Sequence, residues 1–254
     1  IKAQDKIFES CDSLTKVVFG DSVKIIPNYI LRDSKNLTTV ELGDLVSEIR
    51  EFAFAGTGIK EITLPASLEL IENYAFNNCA SLKKIVFNAP NCTLNRQSFS
   101  DCKSLSDITF GPQVKRIPKY CCEGLKGLHY FEFPETVTEI GDYAFRESGI
   151  KEITIPRWIT SIGVAAFNKC DSLTTITYDI PNITGIGRPF SECKSLQKVV
   201  IGDNVVSVPA NLFSDFTTLT EIVLSDSLKE IGMNAFYYTS IKEVVIPNSV
   251  KKIG

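Results

Sequence analysis

One short motif recurs along the whole chain at an almost fixed interval. Its anchors are Phe8, Leu31, Phe54, Phe76, Phe99, Cys122, Phe145, Phe167, Phe190, Phe213 and Phe236, separated by 22 or 23 residues. A period of that size marks a solenoid, in which each unit buries its apolar face only against its neighbours. Such a stack displays surface and does not ordinarily enclose a catalytic cleft. Eleven anchors predict about eleven coils of 22–23 residues, forming one domain over residues 1–254.

Within a unit the apolar residues follow two spacings. The first is Leu-x-x-Ile-x-Phe, as in Leu82/Ile85/Phe87, Leu105/Ile108/Phe110, Leu128/Phe131/Phe133, Leu173/Ile176/Tyr178 and Ile241/Val244/Ile246. The last two members are two residues apart, so both face the same side of a strand. The second is a pair such as Val114/Ile117, Val137/Ile140 or Leu228/Ile231, which predicts a short strand on the opposite wall. A tight segment ending in Ala-Phe follows, for example Tyr143-Ala144-Phe145. It is too short for an isolated helix, and a single helical or 3-10 turn is expected there. Coils stacked at the inter-strand distance would give a rod or arc roughly 50 Å long.

A longer period lies inside the short one. Phe54, Phe145 and Phe236 are 91 residues apart, and each leads into a nearly identical segment: Ile59-Lys-Glu-Ile62, Ile150-Lys-Glu-Ile153 and Ile241-Lys-Glu-Val244. Pro27, Pro118 and Pro209 keep the same interval, as do Cys11, Cys102 and Cys193. Both buried and exposed positions recur, which favours duplication of a four-repeat block. A binding surface recurring about every 19 Å is the functional alternative.

The net charge is −3 and no basic face emerges, which argues against nucleic acid and anionic membrane as partners. No apolar run approaches the ~18 residues needed to cross a bilayer, so membrane insertion is not expected. The chain opens as Ile1-Lys2-Ala3 and stops in mid-repeat at Lys252-Ile253-Gly254. The expectation is a segment of a longer chain, with any targeting sequence outside it, or an open end that pairs with another copy.

Few residues suggest chemistry. Of eight cysteines, Cys11, Cys79, Cys102, Cys170 and Cys193 stand three residues after an anchor, where other units carry Ser34, Thr57, Ser148 or Thr239. A column that accepts Cys, Ser or Thr reads as a small buried position holding free thiols. Cys121-Cys122 replaces Ala-Phe and reads as core. No Cys-x-x-Cys pair, phosphate loop or nucleophile elbow occurs, and His129 is the sole histidine. No catalytic residue, metal site or cofactor is therefore expected.

The exposed strand positions form the display face. Tyr130 points outward, with Asp107 and Glu152 expected on either side and Glu132 next to it. An exposed aromatic in an acidic ring suits a cationic or carbohydrate partner. Ordinary decoration of a solvated sheet is the competing reading. Trp158, the sole tryptophan, stands beside Arg157 where other units have small or polar residues, and it is expected to project from a loop or to pack partly on its neighbours. Asn36-Leu-Thr38, Asn91-Cys-Thr93 and Asn182-Ile-Thr184 match the glycosylation acceptor pattern.

The unit Leu-x-x-Ile-x-Ile-Pro-x-x-Val-x-x-Ile-Gly-x-x-Ala-Phe-x-x-Cys, seen best in Ile150-Lys-Glu-Ile153-Thr-Ile155-Pro156 and Ile162-Gly163-Val-Ala-Ala166-Phe167-Asn-Lys-Cys170, resembles the BspA-like, treponemal-type leucine-rich repeat. Residues 91–94 and 120–125 depart from it, and local irregularity is expected there. The resemblance implies an α/β leucine-rich-repeat solenoid, mostly β by content. It would be a right-handed coil with a parallel sheet on one face and short strands or single turns on the other. It further implies a non-catalytic extracellular or cell-surface module that adheres to a host or microbial surface protein or glycan. A structural spacer, self-associating end to end within a longer surface protein, is the alternative. The family carries no catalytic residues to transfer, and its binding residues vary.

Overall fold

The two apolar spacings become two walls of parallel strands in the computed structural model, which describes residues 6–181 and 187–254. The chain divides into two compact units, Ile1–Leu128 and His129–Gly254.

In the first unit the Leu-x-x-Ile-x-Phe segments form the strands Lys16–Val18 and Thr39–Glu41, then Glu61–Leu64, Lys84–Phe87 and Asp107–Phe110. All pair in parallel, with Ile62, Ile85 and Ile108 in register. The opposite wall is built from the two-residue strands Ile25–Ile26, Glu48–Ile49, Leu70–Ile71 and Thr93–Leu94. In the second unit the long strands are Glu152–Ile155, Thr175–Tyr178, Lys198–Ile201 and Glu221–Val223. They also run parallel and in register. Its opposite wall holds Glu139–Ile140 beside Ser161–Ile162, and Ser207–Val208, Glu230–Ile231 and Lys252–Ile253 as a group of three.

The anchors stack between the walls. Phe54, Phe76 and Phe99 lie face to face with ring centroids 5.1 Å apart. Phe145 and Phe167 stack at 5.0 Å, and the column continues through Phe190, Phe213 and Phe236. Each fully buried ring removes enough apolar surface from water to contribute roughly 1.5–3 kcal/mol. The Cys/Ser/Thr column is a row of small groups with free thiols, all buried except the half-buried Cys11 and Thr239 at its two ends. It also donates hydrogen bonds. The Cys79, Cys102, Cys170 and Cys193 thiols reach the carbonyls of Phe54, Phe76, Phe145 and Phe167, each the anchor of the preceding coil, at 3.0–3.1 Å. Ser34 reaches the Phe8 carbonyl in the same way at 2.8 Å. Cys and Ser interchange here because each is small and can donate to that carbonyl, although Leu125 and Phe216 fill the slot in two other coils.

Three expectations are corrected. The Ala-Phe segment forms no helical turn among the described residues. Among those residues nine coils instead carry two left-handed residues four apart, as at Tyr29/Asp33, Phe52/Gly56, Tyr74/Asn78 and Tyr143/Glu147. That conformation costs a non-glycine residue of order 1 kcal/mol or more. It turns the N–H groups toward the next coil: Asp33 donates to Ala55, Gly56 to Asn77 and Glu147 to Asn168 at 2.8–2.9 Å. A helical turn would spend those donors inside its own coil, whereas here they build a third ladder along the stack. Second, the departures from the motif keep the coil's turns and core in place and are felt only on the opposite wall, where the sheet ends at Thr93–Leu94. Thr93–Leu94 pairs in register with Leu70–Ile71, and Tyr120/Gly124 repeat the left-handed pair around buried Cys121 and Cys122.

Third, two segments with strand spacing form no strand. In 128–134 the buried Phe131 and Phe133 pack edge-on to each other at 5.0 Å and both against Phe145, a ring cluster in place of a simple column. In 241–246, Val244 and Ile246 are exposed and the segment is extended without strand pairing.

Candidate functional site

Outward-facing strand residues and the loops after the strands enclose one trough in each unit. The second unit's trough, of about 570 Å³, is floored by Tyr130, Glu132, Glu152, Thr154, Thr175 and Thr177 and rimmed by Pro134, Glu135, Pro156 and Trp158. Period-two alternation sends Glu152 and Thr154 outward while Ile153 and Ile155 are buried. Glu152 therefore lies directly across the ladder from Thr175, and Thr154 from Thr177.

Two aromatics shape this trough. Tyr130 is 65% exposed, and its hydroxyl donates to Glu132 Oε1 at 2.6 Å. That bond orients the ring and raises the phenol pKa above its ordinary value. Trp158 is half-buried, and its indole N–H donates to the Pro134 carbonyl at 3.1 Å, which pins it across the rim. Both rings are held in place before any ligand arrives, which lowers the ordering cost of binding.

The trough's charge has one sign. Glu132, Glu135 and Glu152 line it, all exposed, and no lysine or arginine does. Among the described residues none of these three carboxylates forms an ion pair. Elsewhere on the sheet faces ion pairs form between neighbouring strands: Lys84 meets Asp107 at 3.4 Å and Lys198 meets Glu221 at 2.6 Å.

The structure thus brings together four of the residues singled out in the sequence: Tyr130, Glu132, Glu152 and Trp158. Arg157 is exposed beside Trp158 but does not line the trough. Asp107 belongs to the first unit, on the strand Asp107–Phe110, with its carboxylate on Lys84. Sequence reasoning missed Glu135, Thr154, Thr175 and Thr177. Aligning the chain on its 91-residue period would have exposed Thr175, because Lys84 occupies the equivalent position.

The first unit's trough, of about 870 Å³, occupies the equivalent place and is lined by Thr39, Glu41, Asp44, Lys60, Glu61, Thr63, Pro65 and Ala66 among others. It includes a cation, and its Glu41 is paired with Lys16 at 2.6 Å.

Other candidate groups resolve into structure. His129 is exposed, with Nδ1 3.1 Å from the Gly149 carbonyl. Burial pushes the Cys92 thiol up to about 12. The Cys102 and Cys193 thiols are raised by their hydrogen bonds to Cys79 and Cys170 and by burial, so they stay protonated at neutral pH. Among the described residues no group of three His, Cys, Asp or Glu is arranged to hold a metal ion, and no helix is long and apolar enough to cross a membrane. Of the acceptor asparagines, Asn91 is exposed, Asn36 donates to the Asp12 carbonyl at 2.7 Å, and Asn182-Ile-Thr184 lies outside the described residues.

The BspA type leucine rich repeat region matches the chain over residues 2–128, 92–188 and 138–254. A leucine-rich repeat protein of Bacteroides ovatus is 25% identical with a TM-score of 0.63, the match covering 97% of this chain and 76% of that one. A leucine-rich repeat protein of Eubacterium ventriosum is 21% identical with a TM-score of 0.50, over 95% and 82% of the two chains. A leucine rich cell surface protein of Faecalibacterium prausnitzii is 22% identical with a TM-score of 0.42, over 98% and 61%. No curated protein matches the sequence.

Proposed function

Because the chain belongs to the BspA-type leucine-rich repeat family, we propose that it is a non-catalytic, cell-surface binding module that adheres to a host or microbial surface protein or glycan. The contact face is the trough of the second unit. The observation that carries this reading is the pair of fixed aromatics, Tyr130 and Trp158, beside the parallel ladder of Glu152–Ile155 and Thr175–Tyr178. Aromatic side chains held at low entropy cost are the groups that dominate binding hot spots. The surrounding threonine hydroxyls and carboxylates supply directional hydrogen bonds around them.

The test is a binding screen of the purified chain against extracellular-matrix proteins and a glycan array, with Tyr130→Ala and Trp158→Ala in parallel. Saturable binding that either substitution weakens supports the reading. Binding indifferent to both removes the trough from it. No binding, with concentration-dependent association seen by light scattering, would instead support a self-assembling spacer.

A further inference from the structure

The trough of the second unit is matched to a positively charged chain. We infer that it takes an extended basic segment of a partner protein, placing a Lys or Arg side chain against Tyr130 and between Glu132 and Glu152. This inference rests on the proposed binding face and specifies its ligand.

Three independent observations carry it. The first is the missing cation. On the first unit's sheet Lys84 stands in register between Glu61 and Asp107 and pairs with Asp107. Ninety-one residues on, the same ladder position is Thr175, in register with Glu152. Glu152 is thus left without the lysine its counterpart Glu61 has beside it. With threonine at that position no lysine on the adjacent rung competes with a ligand for Glu152, whereas Lys84 stands beside Glu61 although its ammonium pairs with Asp107.

The second is the ring. Tyr130 replaces Thr39 of the first unit, and its hydroxyl is already engaged by Glu132, so the exposed ring and the carboxylate are presented as one unit. A cation over an aromatic face gains roughly 0.5–2 kcal/mol, more as water is excluded. The third is the shape. The trough of about 570 Å³ has room for a few side chains rather than a folded surface, and Trp158 and Pro156 close its rim with apolar surface that a lysine or arginine stem covers. Three unpaired carboxylates repel sulfated or sialylated glycans and give a neutral sugar no charge to complement.

The experiment uses the whole chain and fluorescein-labelled hexalysine and hexaglutamate, followed by anisotropy at low and high salt, with a neutral oligosaccharide measured by calorimetry. The variants are Tyr130→Ala, Glu152→Gln and Thr175→Lys, the last restoring the first unit's residue in a position where a lysine is already accommodated. Glu61→Gln is the control. Hexalysine is expected to bind saturably, to weaken with salt, and to weaken roughly tenfold in Tyr130→Ala and Thr175→Lys but not in Glu61→Gln. Hexalysine binding that is unchanged in all three trough variants is a non-specific response to net charge and overturns the inference. Oligosaccharide binding lost in Tyr130→Ala, without hexalysine binding, overturns it while leaving the binding face intact. If no probe shows binding sensitive to Tyr130, this inference fails, and the matrix-protein and glycan screen decides the binding face separately.

Discussion

The two troughs occupy equivalent positions of one duplicated block and share their carboxylate positions, Glu41/Glu132, Asp44/Glu135 and Glu61/Glu152, yet differ in the residues set among them. Beneath them, Val40 and Phe131, Ile62 and Ile153, and Phe76 and Phe167 are all apolar and buried. Above them, Thr39 has become Tyr130, Ser67 Trp158 and Lys84 Thr175. The difference shows what a stacked-coil scaffold permits. Each coil's stability comes from its neighbours through the core column and the ladders, so surface positions change at little energetic cost. One copy keeps Lys60 in its lining and an ion pair on Glu41, and the other carries two aromatics and three carboxylates without an ion pair among the described residues.

The most severe test of that contrast lies in the cores. Phe76→Ala and Phe167→Ala are each expected to cost about 3–5 kcal/mol, measured by chemical denaturation. Similar losses support equivalent cores, and a clear tolerance in one would place divergence below the surface as well. Next, Cys79→Leu and Cys170→Leu should each cost about 1–3 kcal/mol through overpacking. Cys→Ser at the same sites should stay within about 1 kcal/mol because serine fills the slot in other coils. Third, converting the acidic trough toward its counterpart with Tyr130→Thr and Trp158→Ser should abolish most probe binding. The reverse changes Thr39→Tyr, Ser67→Trp and Lys84→Thr should confer some, and stability should change little in either direction. The smallest effect separates a single buried atom. Tyr178 stands where the first block has Phe87, and its hydroxyl is buried without a hydrogen-bond partner among the described residues. Tyr178→Phe is expected to stabilise the protein by about 1 kcal/mol in denaturation, and Phe87→Tyr to destabilise it.

Much of this was readable from spacing. The apolar residues of both walls, the stacked anchors and the small-residue column all follow from period-two and period-23 patterns, since only neighbours of identical shape can stack indefinitely. The exceptions are instructive. Residues 128–134 have strand spacing, but two adjacent phenylalanines on the same face crowd Phe145 and no ladder forms. The ion pair of Asp107 with Lys84 was not legible either, because repeat spacing fixes which strands are neighbours but not which side chains meet.

By itself the sequence determined that the chain is a stack, which side chains are inside it, and which family it belongs to, because a regular repeat leaves the apolar residues one way to be buried. The tertiary structure decided the rest. The left-handed turns fall on Tyr, Asp, Glu and Lys as readily as on Gly, because their N–H groups are drawn to the next coil and no local preference announces it. The acidic trough likewise exists only once Glu132, Glu135 and Glu152, from two coils, are brought together with no cation between them. A residue's charge is visible in the sequence, but whether that charge is balanced depends on which side chains the folded ladder sets beside it.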